Sequence, residues 1–384
     1  MKWIVLFLLI VMSGLRASAS EYLLINIYNQ EKISNLQFRT KVGSYTLIND
    51  GKIGDVIHSA ETVKVSAKGN QVALNYKGKS LLVKNVAFQT ATWMCEFLLD
   101  VPTGIKDQIY QDNLIVYASN GKLTLINEVE IDHYVAGVVE AESGKDQLAE
   151  YYKVQSIISR TYALANRARH MGRGYELCDR VHCQVYHGKS RWNDSIPIAT
   201  NETEGLVLVD QDINLITAAF SSNCGGQTLN AEHVWSQPRS YLVSVPDTFC
   251  LVMPHSNWET TVDKTAWLNY LQKENYPVVD TIGDATFYFP QDKSSYFSDS
   301  SYNVKLTDLR KKFKLRSTFF TVQEDGDNKV RLIGQGFGHG VGLCQEGAMN
   351  RARSGWDYRS ILHHYYTNVH LIHLNSLDFF RFQE

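Results

Sequence analysis

The hydrophobic period of this chain changes near residue 128, and that change restricts the fold more than any other feature. Up to about residue 127, apolar and polar residues alternate. Thr62-Val-Lys-Val-Ser66 and Gln71-Val-Ala-Leu-Asn-Tyr76 show the two-residue period of half-buried strands. Gly69-Asn70 and Lys77-Gly78-Lys79 stand where turns are needed, and Asn120-Gly121 between Leu114–Tyr117 and Leu123–Ile126 suits a tight hairpin. Beyond residue 128, Ile131, Val135 and Val138 recur at helical spacing, and a second helical pattern runs from about Gln147 to Arg169. Strands are predicted at Gly205–Val209, Leu215–Phe220 and Arg331–Ile333. Helices are predicted over 264–275 and Tyr358–Tyr366, and residues 284–302, rich in Ser, Asp and aromatics, read as a surface excursion. The expectation is an α+β fold, dominated by β structure, with a small helical element carrying the chemistry beside a long cleft.

The N-terminus has a secretory layout. Met1-Lys2 precedes an apolar run, Trp3 to Met12, and Ala17-Ser18-Ala19 supplies the small residues of a cleavage site. Residues 1–19 are therefore expected to be a signal peptide, with no stable membrane span after its removal, and an uncleaved anchor is the alternative. Export to the periplasm or cell envelope follows. The expected organisation is a β-rich part over 20–127, a core with the metal segment over 128–374, and a C-terminal tail over 375–384. With 38 Lys+Arg against 40 Asp+Glu and no basic run, a nucleic-acid partner is not expected.

Glu142 continues the stripe Ile131, Val135, Val138, because eleven residues make almost three whole turns. Glu140 lies about 200° away around the same helix and is expected in solvent. Burial and the helix C-terminus both disfavour a charged Glu142, as general-acid work requires. The competing reading is that Glu142 pairs with Arg160. Next, His170, Cys178, His182 and Cys183 form a compact donor set of the Cys2His2 kind, suited to one closed, structural zinc per chain. His187 competes for a place in it, and a Cys178–Cys183 disulfide is the alternative. Cys224 and Cys250 are the favoured disulfide pair, with Cys95 and Cys344 competing. The segment Gly334-Gln-Gly-Phe-Gly-His-Gly-Val-Gly-Leu-Cys-Gln-Glu-Gly347 matches no dinucleotide fingerprint. It reads as backbone approaching another segment or a ligand closely, presenting His339 and Gln345. Ser221-Ser222-Asn223 lacks the nucleophile-elbow pattern and reads as a polar loop bordering a cleft.

Taken in order, these segments resemble the SpoIID/LytB family, named for stage II sporulation protein D, over roughly residues 21 to 374. The carrying stretches are Leu125–Glu142, Val154–Leu164, His182-Cys-Gln-Val-Tyr186, Cys224-Gly-Gly-Gln-Thr228 through Val234-Trp235, and Gly336–Ala348. Ser143-Gly144 departs from the Met-Pro usual after the family's glutamate. The resemblance implies a lytic transglycosylase acting on peptidoglycan glycan strands. Glu142 would be its catalytic acid and base, and His170 to Cys183 its zinc segment. Ser221, Ser222, Asn223, His339 and Gln345 are the expected sugar-positioning groups. One branch of the family enhances an amidase, so a glycan-binding partner of a cell-wall amidase is the alternative, and a zinc hydrolase with an open metal position is a third.

Overall fold

The computed structural model describes residues 21–381, apart from 93, 103–107, 236, 279–284, 299 and 327, with backbone alone for 378–381. The expected signal peptide lies outside the described residues. Among the described residues no helix is long and apolar enough to cross a membrane.

Two antiparallel sheets form the first third of the chain. Strand β1 (Tyr22–Ile27) pairs along its length with Lys122–Glu130, which pairs in turn with Asn113–Ser119. The Asn120-Gly121 turn between those two strands has both residues at positive φ, 51° and 75°, the geometry that matches the twist of a two-residue hairpin. The second sheet includes Asn35–Val42, Thr62–Lys68 and Gln71–Tyr76. The sheets meet through their alternating apolar faces. Phe38 of one stacks on Phe88 of the other, with ring centroids 3.9 Å apart, and Phe97 and Tyr45 close around them.

Strand Lys122–Glu130 runs without a linker into helix α1 (Ile131–Ser143). The carboxylate of Glu130 accepts from the N–H groups of Asp132 and His133, satisfying two donors that a helix start leaves open. Ile131, Val135 and Val138 are buried as their spacing requires, and so are Tyr134, Ala136, Gly137 and Val139. Helix α2 (Ala149–Ala165) packs beside α1. Arg160 of α2 is fully buried and donates to Asp132, and its Nη1 donates to the Leu206 carbonyl. The expected alternative pairing of Arg160 with Glu142 is therefore not formed. The boundary drawn at residue 127 also falls inside a strand, and one hydrophobic core runs from the sheets through α1 and α2.

Three expectations need correction. The stretch 284–302 contributes Ala285, Tyr288 and Phe297 to a second, separate core with Trp267 and Leu309. That core packs helices Lys264–Lys273 and Leu306–Phe313 on a sheet of Asn257–Asp263, Lys329–Gln335 and Phe319–Glu324. Aromatics spaced among Ser and Asp imitate a surface loop when the core they fill is small. The expected strand Leu215–Phe220 is reduced to Phe220–Ser221, which pairs in parallel with Leu343–Cys344. The expected tail from 375 is helical over Leu374–Arg381, with Leu377 packed on Val207 and Val209.

Candidate active site and metal centre

Glu142 occupies the last full turn of α1, which ends at Gly144 with φ 68°. Its carboxylate is half-buried, and Oε1 accepts from the N–H of Val185 at 3.1 Å. Burial raises its pKa above the ordinary glutamate value, and the Val185 hydrogen bond opposes that rise without cancelling it. Val185 follows Cys183 by two residues, so the segment that ends in the metal ligands also delivers the donor to Glu142. This segment lies hard against α1. A side-chain carbon added at Gly137 would stand 2.2 Å from the Gly188 carbonyl oxygen, so only glycine permits the approach.

Glu140 does not face solvent as its helical phase predicts. Its Oε2 accepts from Ser190 Oγ at 2.9 Å and from the N–H groups of Arg191 and Trp192 at 2.7 Å each. The loop 190–192 folds over that face of the helix and takes the solvent's place. Both glutamates are half-buried, Glu140 engaged by three donors and Glu142 by one.

The four metal-ligand residues come together. Cys178 pairs in parallel with Asn26 of β1, which fixes one corner. Asp179 holds the next residue in place by accepting from the N–H of Tyr28 at 2.6 Å. Cys178 Sγ and Cys183 Sγ are 3.4 Å apart, His170 Nε2 lies 3.4 Å from Cys183 Sγ, and His182 Nδ1 lies 3.6 Å from the same sulfur. All four donor atoms fall within 4.8 Å of one another. A tetrahedron with zinc–sulfur bonds of about 2.3 Å has edges of about 3.8 Å, so the donor set and its spacing fit one zinc ion. The sulfurs are unbonded, whereas a disulfide would bring them to about 2.05 Å. The Cys183 thiol and the two imidazoles push the Cys178 thiol down to about 4, so it is readily a thiolate. His187 stands apart, with Nδ1 3.4 Å from Gln108 Nε2.

The expected sugar-positioning residues divide. Ser221 is buried, and its Oγ has no hydrogen-bond partner among the described residues. Ser222 is half-buried beside it. Asn223 faces inward. Its Nδ2 donates to the Cys250 carbonyl and to Glu346 Oε2, and its Oδ1 accepts from Gly225 N–H, so it holds the loop together. His339 Nδ1 accepts from Val341 N–H at 3.0 Å, and the ring lies against Trp235. Burial, helped by the Arg310 guanidinium, pushes the His339 pKa down to about 4, leaving a neutral ring at pH 7. Gln345 is buried and its Nε2 reaches the carbonyl of Glu142 and Oε1 of Gln155, each at 3.4 Å. The glycine-rich loop makes the close approach its composition predicts. A side-chain carbon at Gly342 would fall 2.2 Å from the Ala219 carbonyl oxygen, and Gly342 also has φ 71°.

Cys224 and Cys250, the expected disulfide pair, lie close together but unbonded here. The sulfurs are 3.6 Å apart, and Cys344 joins them. Val185, Gln155 and Asp247 were not singled out by sequence. Val185 acts through its backbone, which no side-chain pattern reveals.

Fold and site together define an α+β protein that sets a half-buried glutamate of raised pKa beside a Cys2His2 cluster able to hold a metal ion. Residues 119–209, which hold both, match the family model described as SpoIID, Stage II sporulation protein. Residues 119–209 are thus a SpoIID-family segment, and the similarity to SpoIID proteins extends beyond it. The chain is 29% identical over 268 residues to stage II sporulation protein D of Bacillus amyloliquefaciens, covering 65% of this chain and 76% of that one. It is 30% identical over 288 residues to the amidase enhancer of Bacillus subtilis, covering 61% of this chain and 40% of the enhancer's length. A Brachyspira hyodysenteriae protein described as uncharacterized is 27% identical over 343 residues, covering 88% of this chain and 89% of its own.

Proposed function

We propose that this chain is an exported peptidoglycan lytic transglycosylase of the cell envelope that works with a single carboxyl group, Glu142. The observation that carries the reading is the pairing of burial with one backbone donor at Glu142, which raises its pKa above the ordinary glutamate value and favours the protonated acid that general-acid work needs. The carboxyl first donates its proton to the glycosidic oxygen between N-acetylmuramic acid and N-acetylglucosamine, and the C–O bond breaks. The carboxylate so formed then takes the proton of the muramic acid C6 hydroxyl, whose oxygen closes on C1. The product carries a 1,6-anhydro end, no water is consumed, and Glu142 regains its starting state. One group thus does what glycosidases usually divide between two.

His170, Cys178, His182 and Cys183 would hold a zinc in a fold-holding role, since four protein ligands leave no position for water or substrate. Its contribution is to fix the segment that presents Val185 to Glu142. Ser221, Ser222 and His339 border the site as sugar-positioning groups in this reading, while Asn223 and Gln345 support them from beneath.

The test is a digest of purified peptidoglycan with the mature protein. Release of 1,6-anhydromuramic products, lost in Glu142→Gln, is expected. The similarity to an amidase enhancer favours one second reading, a non-catalytic glycan-binding protein that stimulates a cell-wall amidase. It takes precedence if neither intact nor peptide-stripped glycan yields anhydro ends while an added amidase is accelerated.

A further inference from the structure

Cys224, Asp247, Cys250 and Cys344 come from three segments that are distant in sequence, yet one donor atom from each lies within 4.8 Å of the other three. All four residues are buried, at 3% exposure or less. Cys224 Sγ stands 3.6 Å from Cys250 Sγ and 3.5 Å from Asp247 Oδ2. A disulfide would need about 2.05 Å. The edge of a tetrahedron around zinc with thiolate ligands is about 3.8 Å. The spacing therefore matches a single tetrahedral ion.

The surrounding hydrogen bonds treat two of these sulfurs as anions. The N–H groups of Cys224 and Gly347 point at Cys344 Sγ at 3.2 and 3.4 Å, and that of Gly226 points at Cys250 Sγ at 3.2 Å. Cys344 also caps the N-terminus of helix Gln345–Arg353, where the helix field favours a thiolate. The carboxylate is held as a ligating carboxylate must be. Arg351 Nη2 donates to Asp247 Oδ1 at 3.0 Å, and Tyr365 Oη donates to Oδ2 at 2.8 Å. Lys293 reaches the same loop, donating to the Cys224 and Gln227 carbonyls. Anionic sulfurs and a carboxylate crowded together out of water repel one another strongly, and a divalent cation among them removes that cost.

We infer that Cys224, Asp247, Cys250 and Cys344 bind a second zinc ion, a closed structural site separate from the Cys2His2 centre. Sulfur-rich donors in a tetrahedral arrangement select zinc over the oxygen-seeking cations. The ion ties the loop after Phe220–Ser221 and the 247–250 turn to the residue before Gln345. Gln345 in turn touches the carbonyl of Glu142. The site thus connects to the end of α1 through Gln345.

The test is a metal count on the mature protein purified without chelator, by native mass spectrometry and elemental analysis. Two zinc ions per chain are expected. Asp247→Asn and Cys344→Ser should each lower the count to one, while Cys178→Ser also lowers it to one by emptying the other centre. The double variant Cys178→Ser, Cys344→Ser should hold none. Cobalt substitution of the Cys178→Ser protein should give the intense near-ultraviolet charge-transfer band of three thiolate ligands. One zinc in the wild-type protein, a metal other than zinc at this site, or a Cys224–Cys250 disulfide in a non-reducing peptide map would overturn the assignment. The wild-type count decides the matter even if a variant fails to fold. It is also independent of glycan cleavage, so it stands or falls apart from the role of Glu142.

Discussion

The N–H of Val185 donates to Oε1 of Glu142 across 43 residues of sequence, at 3.1 Å. That contact joins the metal-binding segment to the helix end. This hydrogen bond opposes the rise in the Glu142 pKa that burial causes.

Glu142→Gln is expected to reduce release of 1,6-anhydromuramic products by at least about ten-thousandfold, the upper range for one acid–base group, because it acts in both halves of the reaction. Zinc content and the circular dichroism spectrum should be unchanged. In the wild type the alkaline limb of the pH–rate profile should lie above the ordinary glutamate value of 4.5, as burial dictates. Near-wild-type product release by the variant would remove Glu142 from the mechanism.

Glu140→Gln should leave cleavage intact and lower stability. Three donors converge on Oε2, and an amide oxygen accepts them without the charge. The expected loss is about 1–2 kcal/mol, read from urea midpoints. A variant that is as stable as the wild type but inactive would reverse the roles assigned to the two glutamates.

His339 should make the protein acid-sensitive. Its pKa is depressed from 6.5 to about 4 in the fold, so the neutral ring contributes its full stability above pH 6.5. That contribution is lost as the pH falls through the interval toward 4, by about 3 kcal/mol at most. His339→Gln should flatten this part of the stability profile in urea titrations at pH 7, 6, 5 and 4. Identical slopes for the two proteins would mean that the ring titrates alike in the folded and unfolded chain.

Cys178→Ser should cost one zinc per chain and several kcal/mol of stability, since a closed metal site contributes directly to folding. Because the same segment carries Val185, glycan cleavage should fall as well. Differential scanning calorimetry with parallel metal analysis checks both. Full metal content in this variant would exclude Cys178 as a ligand.

Local patterns were legible in the sequence where the chemistry is local. The Asn120-Gly121 turn and the burial of Ile131, Val135 and Val138 depend on close neighbours, and His170, Cys178, His182 and Cys183 lie within fourteen residues, although β1 fixes the place of Cys178. Helical phase set Glu140 apart from Glu142 as the solvated one, but the loop that engages Glu140 comes from fifty residues away and leaves no periodic trace. The thiol cluster failed for the same reason. Cys224 and Cys250 are the nearest pair in sequence and invite a bridge, while Cys344 arrives only when Leu343–Cys344 pairs with Phe220–Ser221. Residues 284–302 misled because a small core needs few apolar residues, set among many polar ones.

The parallel pairing of Leu177–Cys178 with β1 also sets an order of assembly. As the chain emerges from its N-terminus, β1 can find Lys122–Glu130 as soon as the first hundred-odd residues are out. Its other edge stays open until residue 178 arrives, and an open edge invites pairing with a neighbouring chain. The residue that closes the edge is itself a donor of the Cys2His2 cluster. Closing the edge at Ile25 and Asn26 and bringing Cys178 into the cluster are thus one late event, and before it that stretch of β1 is open to association with a neighbouring chain.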